Sequence, residues 1–349
     1  MKAYVLNAIN QLDFTETPIP TINASQVLVE VKAAGICGSD IPRIYETGTY
    51  RYPTIPGHEF SGVVKAVGNH DKSSDWIGKR VGVFPLIPCQ KCCACKKKLY
   101  EMCRNYNYLG SRCDGGFAEY VAVPEWNLIQ LPDEVSFEDA AMLEPAAVAL
   151  HSLRRVQLSQ NMTVAVLGLG MIGLLIVQWI AALGIENVYA TGHHKEHGEL
   201  MKSVGKHTYA YYDAHNQNVE KWLLEETGGT GVDLVIDCAG FSQTLTEALN
   251  VVSPGGQILV VGNPHSDMIL PKESYWKLLR NQITITGSWN STFNHQKDDD
   301  WHKVLEACKE GKIDLNKIIS HRLPFSDLEK GLDIMYNKTE YRNKIIIVR

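Results

Sequence analysis

The chain opens in short alternation. In QVLVEVKAAGI the apolar Val27, Val29 and Val31 alternate with other residues, the period of a half-buried strand. MKAYVLNA before it carries the same glycine- and proline-punctuated texture, as do FSGVVKAVG, KRVGVFP and DGGFAEYVAVPEWNLIQLP after it. Together they predict a compact β-rich unit of barrel type. At Thr163 the pattern changes: TVAVLG reads as an apolar strand, GLGMIG as a turn and LLIVQWIAALG as an apolar helix ending at Gly184. NVYATG, VDLVIDCAG, GGQILVVG and ITITGSW then repeat apolar, β-branched runs with helical segments between them. That is the pattern of a parallel sheet covered on both faces. After Trp289 the rhythm stops. Polar NSTFNHQKDDDW reads as a loop, and helical WHKVLEACKEGK, a helix around LEKGLDIMYN and a last strand KIIIVR close the chain. The expected class is α/β: a β-rich domain over 1–155, a doubly wound parallel sheet over 156–291, and a return of 292–349 to the first domain.

Composition narrows the function. A length of 349 residues suits about two domains. A net charge of −5 argues against a nucleic-acid binder working through a basic face. No apolar run approaches the roughly 20 residues of a membrane helix, and MKAYVLNAIN has neither a basic n-region nor an apolar h-region. Nine cysteines, an odd number with one dense cluster, suggest metal ligation in a reducing compartment rather than a disulfide framework. A cytoplasmic location is therefore expected.

Three motifs carry chemistry. Cys89, Cys92, Cys95 and Cys103 stand at Cys-x2-Cys-x2-Cys-x7-Cys, and four thiolates complete a tetrahedral zinc, leaving no place for water. Such a metal is structural. Its charge, about −2 with the thiolates, has Lys91, Lys96, Lys97, Lys98 and Arg104 nearby to offset it, and Cys93 is spare. The stretch Ala34–Gly62 places a thiol at Cys37, a hydroxyl at Ser39, and an imidazole and carboxylate at His58 and Glu59. That donor set suits a catalytic zinc with an open position. Glu144, in apolar AAMLEPAAVALHSL, reads either as a helix N-terminal acid or as a buried carboxylate in need of a cation. His151 reads as a core histidine.

The third motif is Gly168, Gly170 and Gly173, a G-x-G-x-x-G between a strand and a helix, with Ile172 inside it. It predicts a dinucleotide pyrophosphate on a helix N-terminus. The next strand ends without the carboxylate that would bind the ribose of NAD, in Gly192-His193-His194-Lys195. A small residue followed by possible cations favours NADP over NAD.

CGSD at Cys37–Asp40, GHEFSG at Gly57–Gly62, the four-cysteine lobe, LEP at Leu143–Pro145 and GLGMIG together resemble the zinc-dependent medium-chain dehydrogenase/reductase superfamily, essentially end to end. CGSDIPRI, YRYPTIPGHEFSG, GSRCDGGFAEY and GSWNS are similar to its polyol dehydrogenase branch. The resemblance implies a GroES-like barrel holding a catalytic and a structural zinc, plus a Rossmann domain. It also implies oxidation of a secondary alcohol on a polyol or polyol phosphate, such as galactitol 1-phosphate or an arabitol phosphate, in a homodimer or homotetramer. GGQILVVGNPHS is a candidate edge strand for that assembly. Free polyols of the sorbitol type, threonine and short diols are the alternative substrates. The catalytic ligands it implies are Cys37, His58 and Glu144, with Glu59 a neighbour that coordinates or lets go; Ser39 takes the proton. Pro42 stands where many relatives place a relay histidine. Among the substrate loops, Tyr50, Arg112 and Asn290 are candidate contacts; Arg43, Arg51 and Lys297 are further cations, and Tyr45, Tyr52 and Trp289 further wall residues.

Overall fold

A computed structural model of the chain describes residues 1–68, 74–206, 208–215 and 218–349. Two units account for it. One comprises Met1–Pro145, Thr292–Gly311 and Ile319–Arg349; the other, Ala146–Ser291 and Lys312–Ile318. The first division thus falls inside the helix Leu143–Leu153 rather than at 155, and a short piece of the tail belongs with the second unit.

The first unit is built on the strand Gln26–Ile36. It pairs antiparallel with Glu59–Val67, with Tyr120–Pro124 and with the last strand, Lys344–Val348. The sheet continues through Arg80–Val83 to Leu128–Gln130 on one side and to Ile319–Pro324 on the other. The valine alternation does what its period demands: Val27, Val29 and Val31 are at most 2% exposed. From Ala33 to Ile36 the alternation gives way to continuous burial, because the strand is covered on both faces as it approaches Cys37.

Segment 292–311 is pinned to this unit by aromatic packing. Trp301, 1% exposed, stands edge-on to Phe84 at 5.4 Å between ring centroids, and Phe293 lies 5.1 Å from Phe84 and 5.5 Å from Trp126. The acidic run expected as loop turns out to be a helix start. Asp299 caps Asp300–Lys309 by accepting from the His302 N–H at 2.9 Å, and Asp300 accepts from the Thr292 N–H at 2.7 Å.

The second unit is a six-stranded, wholly parallel sheet. Its order across the sheet is Ala210–Asp213, Asn187–Gly192, Thr163–Leu167, Val232–Asp237, Val252–Val260, Thr284–Gly287. Numbered within the unit this is 3-2-1-4-5-6, the doubly wound Rossmann order, with its switch point between the first and fourth strands. The GGQILVVG run is a correction to the sequence reading. It lies in Val252–Val260, paired on both sides, so the free edges are Ala210–Asp213 and Thr284–Gly287. An interior parallel strand and an edge one share the same apolar run, and only pairing separates them.

Trp301→Ala should remove about 3–5 kcal/mol from the first unit by leaving a cavity among Phe84, Phe293 and the helix. Urea unfolding followed by fluorescence measures this. A loss under about 1 kcal/mol would show that the aromatic cluster does not hold the segment.

Candidate active site

Strand pairing assembles the first site. Gln26–Ile36 delivers Cys37 just past its end, and Gly35 lies opposite Glu59 on the neighbouring strand. The tight turn at Cys37–Asp40 follows, and Cys37, His58 and Glu59 bring one ligand atom each to within 4.8 Å of one another. His58 and Glu59 are 4% and 1% exposed. Ser39 occupies the N-cap position of the helix Asp40–Tyr45 yet makes no capping bond; its Oγ donates to Cys37 Sγ at 3.4 Å. Asp40, fully buried, accepts from the Cys37 N–H at 3.0 Å, stands 3.4 Å from His58 Nδ1 and pairs with Arg43. Burial works to raise the Asp40 carboxyl, but His58 and Arg43 outweigh it and hold the group below the usual carboxylate range. Burial likewise opposes the charge on His58, while Asp40 and Cys37 raise it well above the ordinary histidine value.

Lys344, first residue of the last strand, is 1% exposed and forms a buried ion pair with Glu59 Oε2. It also donates to the Ile36 carbonyl at 3.1 Å. Burial lowers the Lys344 ammonium, but Glu59, Cys37 and Glu144 more than compensate, leaving it above its ordinary value. The pair crosses over Gly35, where a Cβ would collide with Glu59 Oε2 and Lys344 Cε. Glycine is required there for space, not for backbone freedom.

Glu144 lies outside the group formed by Cys37, His58 and Glu59. It is 9% exposed and accepts from Tyr108 Oη at 3.3 Å. Burial above all pushes its carboxyl up to about 7, with Glu59 adding to the rise and His58, Lys344 and the Tyr108 bond opposing it. Glu59 thus contributes a donor atom to the group, and Glu144, outside it, feels the charges of His58, Glu59 and Lys344.

A row of aromatic contacts leads away from His58. Tyr108 lies 5.8 Å from His58 between centroids, and Tyr106 lies 6.2 Å from Tyr108. The Arg112 guanidinium stands 4.5 Å from the Tyr106 ring and 4.0 Å from that of Tyr50. Arg112 has no ion-pair partner among the described residues, and its Nε is buried without a hydrogen bond. Arg43 and Arg51, by contrast, are committed to Asp40 and Asp114. Lys297 is exposed. Tyr50 and Arg112 are thus brought together, whereas Asn290, at φ +56°, belongs to the other unit.

The four-cysteine lobe is the most regular feature. Cys92 and Cys95 sulfurs are 3.5 Å apart, Cys92 and Cys103 3.9 Å, and Cys89 and Cys95 4.0 Å. A tetrahedron with metal–sulfur bonds of about 2.3 Å has sulfurs roughly 3.8 Å apart. All four cysteines are free of disulfides, and Cys93 is exposed, away from them. Backbone N–H groups of Cys95 and Arg104 hold the Cys92 thiol down to about 6, while burial pushes Cys95 up to about 12.

In the second unit each glycine of the G-x-G-x-x-G has its own reason. Gly168 adopts φ +93°, Gly170 caps the helix Met171–Ala182 with nothing within 4 Å of its Cβ direction, and a Cβ on Gly173 would strike the Gly168 carbonyl at 2.5 Å. Ile172 lies half-buried in the first turn. The neighbouring strand ends in buried Gly192, followed by exposed His193, His194 and Lys195. Burial, then the nearby His215, lowers His193 below the ordinary histidine range, so Lys195 is the firmer positive charge.

Residues 23–133 match the alcohol dehydrogenase GroES-like domain, and residues 171–310 match the zinc-binding dehydrogenase domain. The chain is 34% identical to galactitol 1-phosphate 5-dehydrogenase of Escherichia coli over 340 residues, 97% of each chain. The chain belongs to the zinc-dependent medium-chain dehydrogenase/reductase family. It is also 30% identical to sorbitol dehydrogenase of Bacillus subtilis, covering 100% of this chain and 96% of the relative. Among solved structures, galactitol-1-phosphate dehydrogenase from E. coli superposes with a TM-score of 0.90 at 33% identity, covering 100% of both chains. A zinc-binding dehydrogenase from Sinorhizobium meliloti bound to NADP also superposes at 0.90 (27% identity; 100% and 99% covered). The E. coli dehydrogenase rspB, complexed with NADH, does so at 0.89 (30%; 100% and 99%). The protein is accordingly an alcohol or polyol dehydrogenase of this family, and no helix among its described residues is long and apolar enough to cross a membrane.

The donor sets suit the family's metal. Glu59 Oε1 is buried without a hydrogen-bond partner, and the sulfur spacing of the lobe is that of a zinc tetrahedron. Three supporting residues escaped the sequence reading: Asp40 behind His58, Lys344 on Glu59 and Tyr108 on Glu144. Only Asp40 left a local signal, as the acid that closes CGSD.

Lys344→Met should strand the Glu59 carboxylate and cost about 3–5 kcal/mol in chelator-treated protein, whereas Lys344→Arg should recover part of it. Gly35→Val, which wedges a side chain between the same two groups, should lower stability in the same direction. Denaturant midpoints at constant m-value check both; an unchanged midpoint for Lys344→Met would show that the pair adds nothing.

Proposed function

We propose that the protein interconverts a polyol phosphate, of the galactitol 1-phosphate or arabitol phosphate kind, and its ketose phosphate, with NADP preferred to NAD. The observation that carries the substrate reading is Arg112: a cation without an ion-pair partner among the described residues, clasped by Tyr50 and Tyr106, in the aromatic row that starts at His58. A guanidinium held in place by two rings offers a planar fork to a phosphate. The relative named for galactitol 1-phosphate points the same way.

Cys37 and His58, with Glu59 or Glu144, would hold a zinc that supplies a Lewis acid for the substrate hydroxyl, and the dinucleotide supplies the hydride acceptor. Ser39 Oγ, within hydrogen-bond reach of Cys37 Sγ, receives the hydroxyl proton. Pro42 provides no onward donor, so the proton leaves Ser39 through solvent. Asp40 orients the His58 ring, and Lys344 compensates the charge of Glu59. Cys89, Cys92, Cys95 and Cys103 would hold the structural zinc. The NADP preference rests on the missing carboxylate after Gly192 and on Lys195 nearby.

Initial rates with NADP+ and NAD+ against galactitol 1-phosphate, an arabitol phosphate, sorbitol, threonine and 2,3-butanediol test the reading. Arg112→Ala should raise KM for the phosphorylated substrates by about tenfold or more, with little change for free polyols. Equal losses on phosphorylated and free polyols, or turnover of simple diols alone, would overturn the phosphate assignment.

Elemental analysis provides a separate check, with about two zinc ions per chain expected. Cys37→Ala should remove the catalytic ion and keep the structural one. Full zinc retention in that variant would remove Cys37 from the ligand set.

A further inference from the structure

Apart from the two sites proposed for zinc, one more group of ligand-type side chains converges among the described residues. His193 follows the strand Asn187–Gly192, Asp213 ends its neighbour Ala210–Asp213, and His215 comes two residues later. The strands run parallel with Gly192 opposite Asp213, and the Ala214 N–H donates to the Gly192 carbonyl at 2.8 Å. That register brings the two strand ends level. One donor atom from each of His193, Asp213 and His215 consequently lies within 4.8 Å of the others. The two imidazoles meet edge to face, 4.6 Å between centroids. His215 uses its backbone N–H, at 3.0 Å, and its Nδ1, at 2.9 Å, on the same atom, Asp213 Oδ1. Asp213 Oδ2 is left for another partner.

We infer that His193, Asp213 and His215 form a third metal site, selective for a divalent transition ion such as Zn2+ or Ni2+. Two imidazoles and one carboxylate are borderline donors, suited to those ions and poorly to Mg2+ or Ca2+, which prefer oxygen alone. An ordinary surface ion pair would account for Asp213 with His215. It gives no reason for the second imidazole, from a different strand, to turn onto the first. The Asp213 and His215 side chains are 45% and 60% exposed, so an ion would keep open coordination positions toward solvent.

The location gives the site a consequence, which rests on the NADP reading above. Gly192 ends the strand where the adenosine ribose is placed. Without an ion, the Asp213 carboxylate, level with Gly192, works against Lys195 in attracting a 2′-phosphate there; with one, the cluster changes from about −1 to about +1. A bound ion therefore favours NADP+ over NAD+, by charge and through its open positions.

Calorimetric titration of Ni2+ into zinc-loaded, dinucleotide-free enzyme tests the site, with zinc content measured before and after. Wild type should bind about one equivalent more than His215→Ala or Asp213→Asn, at constant zinc, or bind it at least about tenfold more tightly. Equal Ni2+ uptake and affinity in wild type and His215→Ala would overturn the site. Circular dichroism confirms that the variants, altered at exposed strand ends, remain folded. In the linked measurement, Ni2+ should tighten NADP+ binding about fivefold or more, leave NAD+ within about twofold, and do neither in His215→Ala. Uptake that weakens NADP+ would overturn the charge argument. Uptake at the three residues with no response from either dinucleotide would instead overturn the placement of the ribose at Gly192, while the metal site stands.

Discussion

Glu59 and Lys344 form an ion pair with essentially no access to water, and much of the first unit is arranged so that it can exist. Each charge alone would be costly to bury, since the penalty for an unpaired buried ion is several kcal/mol. The partners come from strands on opposite sides of Gln26–Ile36, the central strand of the sheet. They meet only because Gly35 leaves the strand surface bare between them. The last strand thus does more than close the sheet. It carries the cation that makes a second acidic group tolerable beside Cys37 and His58, and its Lys344 also holds the Ile36 carbonyl one residue before the thiol.

What was legible in the sequence was local chemistry. The four cysteines declare themselves because their ligand spacing is short and the loop has few ways to fold around it. The glycine triplet does so because each member has a steric reason within one strand, turn and helix. Cys37, Ser39, His58 and Glu59 were visible as a set of donors. Their partners were not. Lys344 is 285 positions from Glu59, and nothing in KIIIVR separates a buried lysine from a strand-end charge in solvent. Tyr108 was one tyrosine among many in a cysteine-rich loop. The relative places of Glu59 and Glu144 depend on pairing register and on a helix start, neither of which is a property of spacing. The GGQILVVG strand was misplaced to the edge for a related reason: periodicity reports burial, not sheet order.

The same limit applies at the dinucleotide end. Sequence places His193, His194 and Lys195 after Gly192 and shows no carboxylate there. The sheet then adds one from the side, because the parallel register sets Asp213 opposite Gly192. Reading one strand end as a list of charges is therefore incomplete. In a doubly wound sheet the ligand meets several strand ends at once, and adjacent strands contribute to one field.

Charge balance at the first site follows from these placements. Taken as a list, a thiolate, an imidazole and two carboxylates exceed the charge of one divalent ion by about one unit, which would oppose any further negative charge on a substrate oxygen. Lys344 offsets that excess through Glu59, and in the metal-free protein burial above all raises the Glu144 carboxyl to about 7. Arg43 does the equivalent for Asp40, so that this acid can stand behind His58 without adding net charge. Glu59 and Asp40 are thus each compensated by a buried or half-buried cation. A zinc held there as proposed would therefore leave the site receptive to an anionic oxygen.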